Sequence, residues 1–169
     1  MSAVVLLVGG ARSGKSRIAQ TRAEVLEGEL VYIATGQALD AEMTSRIARH
    51  RAERGARWRT VEAPLELADT IRREGARERV LLVDCLTLWL SNLLLGEHDL
   101  EAATTALLDA LATTSATVLL VSNEVGMGIV PENALARRFR DEAGRLNQRV
   151  AAAASEVLLV AAGLAIRMK

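Results

Sequence analysis

An α/β fold, a mostly parallel central sheet with helices on both faces, is what this sequence predicts, and three observations predict it. Five short runs, Val4–Val8, Leu30–Ala34, Val80–Asp84, Val118–Ser122 and Val157–Ala161, are nearly continuous in apolar residues. Strands buried on both faces of a parallel sheet read this way. Helical stretches alternate with these runs, which calls for right-handed crossovers that lay helices over the sheet. Between the first run and the first helix sits Gly9-Gly10-Ala11-Arg12-Ser13-Gly14-Lys15-Ser16, a complete G-x-x-x-x-G-K-S loop.

Taken in order, Val4–Val8 leads straight into that loop, and the loop opens into a helix over Lys15–Leu26. Leu30–Ala34 is the second buried strand. Asp40 is placed to N-cap a helix over Ala41–Arg54. Trp58–Ala63 adds a further short strand and Leu65–Glu74 a helix. The strand Val80–Asp84 delivers an acid to its C-terminal end and is followed by helices over Leu86–Leu95 and Leu100–Thr114. Val118–Ser122 runs into a loop that begins Asn123-Glu124 and holds Gly126, Gly128 and Pro131, a shaped rim and not a passive connector. The last helix, Glu132–Ala154, puts Leu135, Phe139, Leu146 and Val150 on an inward stripe, with Arg137, Arg138, Arg140 and Arg145 largely off it. Val157–Ala161 closes the series.

At 169 residues, half of them hydrophobic, the chain has enough for one well-filled core and too little for two ordinary domains, so a single domain over 1–169 is expected. Lys plus Arg and Asp plus Glu number 21 each, so no global field draws the protein to nucleic acid or a membrane surface. Trp58, Trp89, Tyr32 and Phe139 are its aromatic residues, too few for nucleic-acid recognition by stacking. One cysteine excludes an internal disulfide and fits a reducing compartment. No leader pattern opens the sequence and no apolar segment approaches the roughly 18 residues of a membrane helix, so a cytoplasmic location without membrane insertion is expected.

The chemistry begins at the glycine loop. Its backbone N–H groups turn inward on phosphate oxygens, Lys15 supplies a point charge for the terminal phosphates, and the Ser16 hydroxyl is placed to ligate Mg²⁺. The helix that follows adds the partial positive charge of its N-terminus. Asp84, at a strand end, occupies a Walker-B-like position where a carboxylate holds Mg²⁺ directly or through water. The competing reading of Asp84 is a cap on the next helix. Cys85 beside it reads as inert core.

The 41–54 helix carries Arg46, Arg49, His50, Arg51 and Arg54, with Arg46, His50 and Arg54 four apart on one face. A solvated arginine face is the ordinary reading of such a helix. Against it stands His50, one of two histidines, set among cations near a strand end that opens onto the nucleotide. His98, in the Gly96-Glu97-His98-Asp99 turn, reads as a solvent-exposed loop residue.

Taken together, Gly9 to Ser16, Tyr32-Ile33-Ala34-Thr35, the helix from Asp40 to His50, Trp58-Arg59-Thr60 and the loop Asn123-Glu124-Val125-Gly126-Met127-Gly128-Ile129-Val130-Pro131-Glu132 resemble one family almost end to end. It is the bifunctional adenosylcobinamide kinase/adenosylcobinamide-phosphate guanylyltransferase of cobalamin biosynthesis. The resemblance implies a three-layer P-loop NTPase fold of the RecA-like kind, a kinase using ATP or GTP, and a GTP-dependent nucleotidyl transfer through a guanylylated histidine. Its substrates would be adenosylcobinamide and its phosphate, and its assembly a homotrimer. Position by position, Gly9, Gly10, Ala11, Arg12, Ser13, Gly14, Lys15 and Ser16 become the triphosphate loop, Ala34, Thr35 and Gly36 border the nucleotide, and His50 takes GMP. Arg51, Ala52, Glu53, Arg54, Glu62 and Asp84 match the other GTP-contacting positions. Some relatives carry two adjacent histidines where this chain has Arg49-His50, so the nucleophile is His50. Without the resemblance, the same loop and Asp84 also suit a single-activity small-molecule kinase or a nucleotide-dependent regulatory ATPase, neither of which has a use for His50.

Overall fold

Seven strands form one sheet in the order β3-β2-β4-β5-β1-β6-β7 in the computed structural model, which describes residues 3–37 and 55–169. The strands are β1 (Val4–Gly9), β2 (Glu29–Ala34), β3 (Trp58–Glu62), β4 (Arg79–Asp84), β5 (Thr117–Asn123), β6 (Glu156–Ala161) and β7 (Leu164–Arg167). The helices are α1 (Lys15–Glu24), α2 (Leu67–Glu74), α3 (Leu86–Leu95), α4 (Leu100–Thr113) and α5 (Ala134–Ala153). Every pairing from β3 across to β6 is parallel. The glycine-loop strand β1 lies between β5 and β6, and β5 separates it from β4.

Alternation along each strand sends successive side chains to opposite faces and creates two apolar layers. Leu6, Val31, Ile33, Leu81, Val83, Val118 and Leu120 meet Leu67 and Ile71 of α2, Trp89, Leu90 and Leu93 of α3, Leu107 and Leu111 of α4 and Leu146 and Val150 of α5. Val5, Leu7, Leu30, Tyr32, Leu82, Leu119 and Val121 meet Ala19 and Ala23 of α1 on the other face. Both small residues are fully buried, which lets α1 lie close on the strands. Each fully buried Leu or Val contributes roughly 1.5–3 kcal/mol, and these two layers hold the sheet against its helices.

Three expectations are corrected. The last helix begins at Ala134, because the Asn133 side chain accepts the Ala136 N–H at 3.0 Å and caps it, and Leu135 is 48% exposed, so the inward stripe starts at the half-buried Phe139. α2 begins at Leu67, the Leu65 carbonyl being taken by the Trp89 indole N–H at 2.9 Å. β7 is unanticipated. It runs antiparallel to β6 through a two-residue turn, Ala162-Gly163, both at positive φ as a tight hairpin of type I′ requires. All four of its residues are exposed, so no apolar periodicity announces it.

A four-residue ion network locks the N-terminal edges of β2, β3 and β4 to α2. Arg59 reaches Glu29 at 2.7 Å and Glu74 at 2.6 Å, and Arg79 reaches the same two carboxylates at 2.8 and 2.9 Å. Hydrogen bonding from Arg59, followed by the charges of both arginines, holds the Glu74 carboxyl below the usual carboxylate range. Nearby, the residues leading into β3 are tied to the end of α1: Arg57 donates to the Glu24 carbonyl at 3.0 Å and the Trp58 indole to the Glu24 carboxylate at 2.9 Å. That indole bond lowers the Glu24 carboxyl, and the Trp58 ring packs edge-on to Tyr32.

Candidate active site

Parallel strands end together, and the loops beyond their C-terminal ends share one rim. Gly9 to Ser16 leaves β1 on that rim. Gly9 has no room for a side chain: a Cβ there would lie 2.3 Å from the Val160 carbonyl oxygen of β6. Gly14, the N-cap of α1, holds φ at +96°, a left-handed conformation that closes the loop onto the helix. Ser13 N–H donates to the Gly10 carbonyl at 3.3 Å, and Lys15, 7% exposed, donates from Nζ to the same carbonyl at 2.9 Å.

Two observations fit this loop to phosphate. No side chain caps α1 and no acidic residue sits in its first turn, so its leading N–H groups and positive dipole end are left for an anion. The Ser13 hydroxyl is buried and has no hydrogen-bond partner among the described residues, a cost that a phosphate oxygen would remove. The β6–β7 turn braces the loop from outside: Gly163 N–H donates to the Ser13 carbonyl at 2.8 Å, and a Cβ on Gly14 would meet Gly163 Cα at 3.2 Å. The sequence reading missed this brace; the Ala-Ala-Gly step after the last apolar run is its one signal.

Asp84 ends β4. In the sheet register it aligns with Val121 of β5, which aligns in turn with Leu7 of β1, so the carboxylate stands two strands from the loop, about 10 Å at ordinary strand spacing. It does not cap α3. Cys85 is the N-cap, and no side chain closes that helix. The Asp84 carboxylate accepts no hydrogen bond and forms no ion pair with a described residue. A hydroxyl and an unengaged carboxylate, Ser16 and Asp84, are the hard oxygen donors Mg²⁺ takes when phosphates and water complete its shell, so the residues fit that ion. Cys85 is buried, and burial first, then the Asp84 charge, pushes its thiol up, which fits inert core.

The rim is stitched by polar groups from otherwise apolar elements. The fully buried Thr35 hydroxyl donates to the Cys85 carbonyl at 2.7 Å and accepts the Cys85 N–H at 2.8 Å, fixing the backbone just past Asp84, whose peptide to Cys85 is cis. Asn92 of α3 donates to the Thr35 carbonyl at 2.8 Å and to the Pro64 carbonyl at 3.0 Å. Thr87 accepts the Asn123 N–H at 2.7 Å, and Glu124 N–H donates to the Gly9 carbonyl at 3.0 Å. Thr35 was anticipated as a nucleotide-bordering residue. Asn92 and Thr87 were not, although a polar residue inside the apolar helix Leu86–Leu95 is itself a signal.

Ala34 and Glu62 align across β2 and β3, and Ala34 aligns with Asp84 across β2 and β4, so Glu62, Ala34 and Asp84 form one row at the rim. Gly36 follows Thr35 at the same end. Arg12 is exposed on the loop at φ +56°. His50, Arg51, Ala52, Glu53 and Arg54, with the helix and the Asp40 cap expected for them, lie outside the described residues. His98 is exposed in its turn, and Arg140 and Arg145 pair with Asp141 and Glu142 on the surface of α5.

Comparison with known proteins agrees with this geometry. The family model described as CobU, cobinamide kinase / cobinamide phosphate guanyltransferase, matches residues 5–168. The bifunctional adenosylcobalamin biosynthesis protein CobP of Pseudomonas aeruginosa is 51% identical over 97% of this chain and 96% of its own length. The bifunctional adenosylcobalamin biosynthesis protein CobU of Salmonella typhimurium is 47% identical over 98% of this chain and 99% of its own. Among solved structures, an ATPase domain superposes with a TM-score of 0.54 over 93% of this chain and 68% of that one, at 12% identity. That likeness concerns the fold alone, the three-layer P-loop, RecA-like architecture. By its full-length match and its relatives, the chain belongs to the cobinamide kinase / cobinamide phosphate guanyltransferase family.

Proposed function

We propose that this enzyme phosphorylates adenosylcobinamide with ATP or GTP and then transfers GMP from GTP, through a guanylylated His50, to give adenosylcobinamide-GDP. The observation that carries the proposal is the preformed phosphate cradle, with Lys15 and the orphaned Ser13 hydroxyl at the root of α1, in a chain matched end to end by bifunctional relatives.

In the first reaction the loop amides and Lys15 hold the triphosphate and stabilise charge on the γ-phosphoryl group as it passes to the aminopropanol hydroxyl. Ser16 and Asp84 would hold Mg²⁺, which when bound supplies charge neutralisation at the phosphate oxygens. In the second reaction neutral His50 attacks the α-phosphorus of GTP, a P–N bond forms, and pyrophosphate leaves from the same cradle. The phosphate of adenosylcobinamide phosphate then displaces the imidazole. Arg51, Ala52, Glu53, Arg54 and Glu62 are assigned to the GTP subsite, and the arginines favour the uncharged imidazole. A single domain acting in the cytoplasm as a homotrimer completes the proposal. Among the described residues, no helix is long and apolar enough to cross a membrane.

GTP labelled at the α-phosphate is expected to leave an acid-labile, base-stable adduct on the protein that vanishes in His50→Ala. Equal labelling of His50→Ala would refute the covalent route. Hydrolysis of nucleotide with no phosphorylated cobinamide would favour a regulatory ATPase instead.

A further inference from the structure

Phosphorylation of an alcohol releases the hydroxyl proton, and a carboxylate beside the phosphate loop is the usual group to receive it. β1 has two neighbours in the sheet, β5 and β6. Beyond β6 the chain turns through Ala162-Gly163, which carry no titratable side chain. Beyond β5 it presents Glu124. Asp84 stands one strand further away and Glu62 at the far edge. Among the described residues, Glu124 is therefore the carboxylate at the end of a strand adjoining the loop's own.

Its position is fixed from both sides. Glu124 N–H donates to Gly9 at the root of the loop, and the preceding residue is held by Thr87 at the start of α3, just past Asp84. Oε1 accepts the Gly126 N–H at 2.5 Å, which ties the carboxylate to the start of the glycine-rich rim. Oε2 accepts no hydrogen bond from any described residue, and no described cation pairs with the group. A half-buried, backbone-anchored carboxylate with one oxygen unused, one strand from the triphosphate loop, is built to take a proton and not to tie a salt bridge.

We propose that Glu124 is the general base of the phosphoryl step, an assignment that rests on the kinase reading above. Oε2 takes the proton of the acceptor hydroxyl as that oxygen bonds to the γ-phosphorus. The bond from the γ-phosphorus to the bridging oxygen breaks, and its electron pair leaves on the nucleoside diphosphate. Guanylyl transfer needs no such base, because its acceptor is already an ionised phosphate.

Glu124→Gln keeps an oxygen to accept the Gly126 N–H while abolishing the base, so it separates chemistry from loop shape. The expected result is a kcat for adenosylcobinamide phosphorylation at least about 100-fold lower, with KM for nucleotide shifted less than about threefold. Transfer of GMP to pre-made adenosylcobinamide phosphate should fall far less, so the ratio of the two activities moves by about 100-fold. Glu124→Asp, which retains the carboxylate, should recover part of the kinase rate. An unchanged kinase rate in Glu124→Gln, or equal losses in both activities with raised KM, would overturn the assignment while the wild-type kinase stands. A wild type that phosphorylates no cobinamide would overturn the kinase reading and this assignment with it.

Discussion

Single residues on the rim carry requirements that no neighbour can relax. Gly9 is the plainest: the Val160 carbonyl occupies the space a β-carbon would need, and backbone cannot yield as a flexible side chain can. Gly9→Ala is expected to cost about 1–3 kcal/mol of unfolding free energy and to weaken nucleotide binding at least tenfold, read by urea unfolding and nucleotide titration. Unaltered stability would mean that β6 moves aside freely. Thr35 is a subtler case. The family resemblance implies a place beside the nucleotide, and the geometry adds that its hydroxyl clamps the peptide after Asp84. Residue types and spacing made the loop and Asp84 stand out, at the C-terminal ends of apolar runs, whereas Ala34 entered only through the family resemblance. Glu124 was legible only as part of a rim, since nothing in local sequence says that β5 slots between β1 and β4.

At the scale of elements, buried parallel strands declared themselves, while β7 and the true start of α5 did not. A strand with no buried face has no pattern to read, and Leu135 looks like a core position until Asn133 caps the helix one residue before it begins. The ion network is the element-scale feature with a pH signature. The lowered Glu74 carboxyl means that its stabilisation is complete above the usual carboxylate range, near 4.5, and is lost as pH falls through that range and below it. Glu29 is 44% exposed and adds little once solvent screens it. Glu74→Gln should lower stability by about 1–2 kcal/mol at pH 7, and the gap from wild type should narrow at pH 3, measured by urea unfolding at both values. A gap of the same size at both pH values would show that the ionised carboxylate is not what binds β2, β3 and β4 to α2.

For the whole molecule, the C-terminal ends of the parallel strands gather the phosphate loop, the Asp84 row and the Glu124 rim. The central claim is that a single triphosphate cradle serves two chemistries, with His50 needed for one of them. The most direct test incubates wild-type protein, Lys15→Ala and His50→Ala with adenosylcobinamide, ATP and GTP and follows product masses. The account predicts two successive increments, phosphate and then GMP, for the wild type, neither for Lys15→Ala, and the first alone for His50→Ala. Both increments from His50→Ala, or the second surviving in Lys15→Ala, would contradict it.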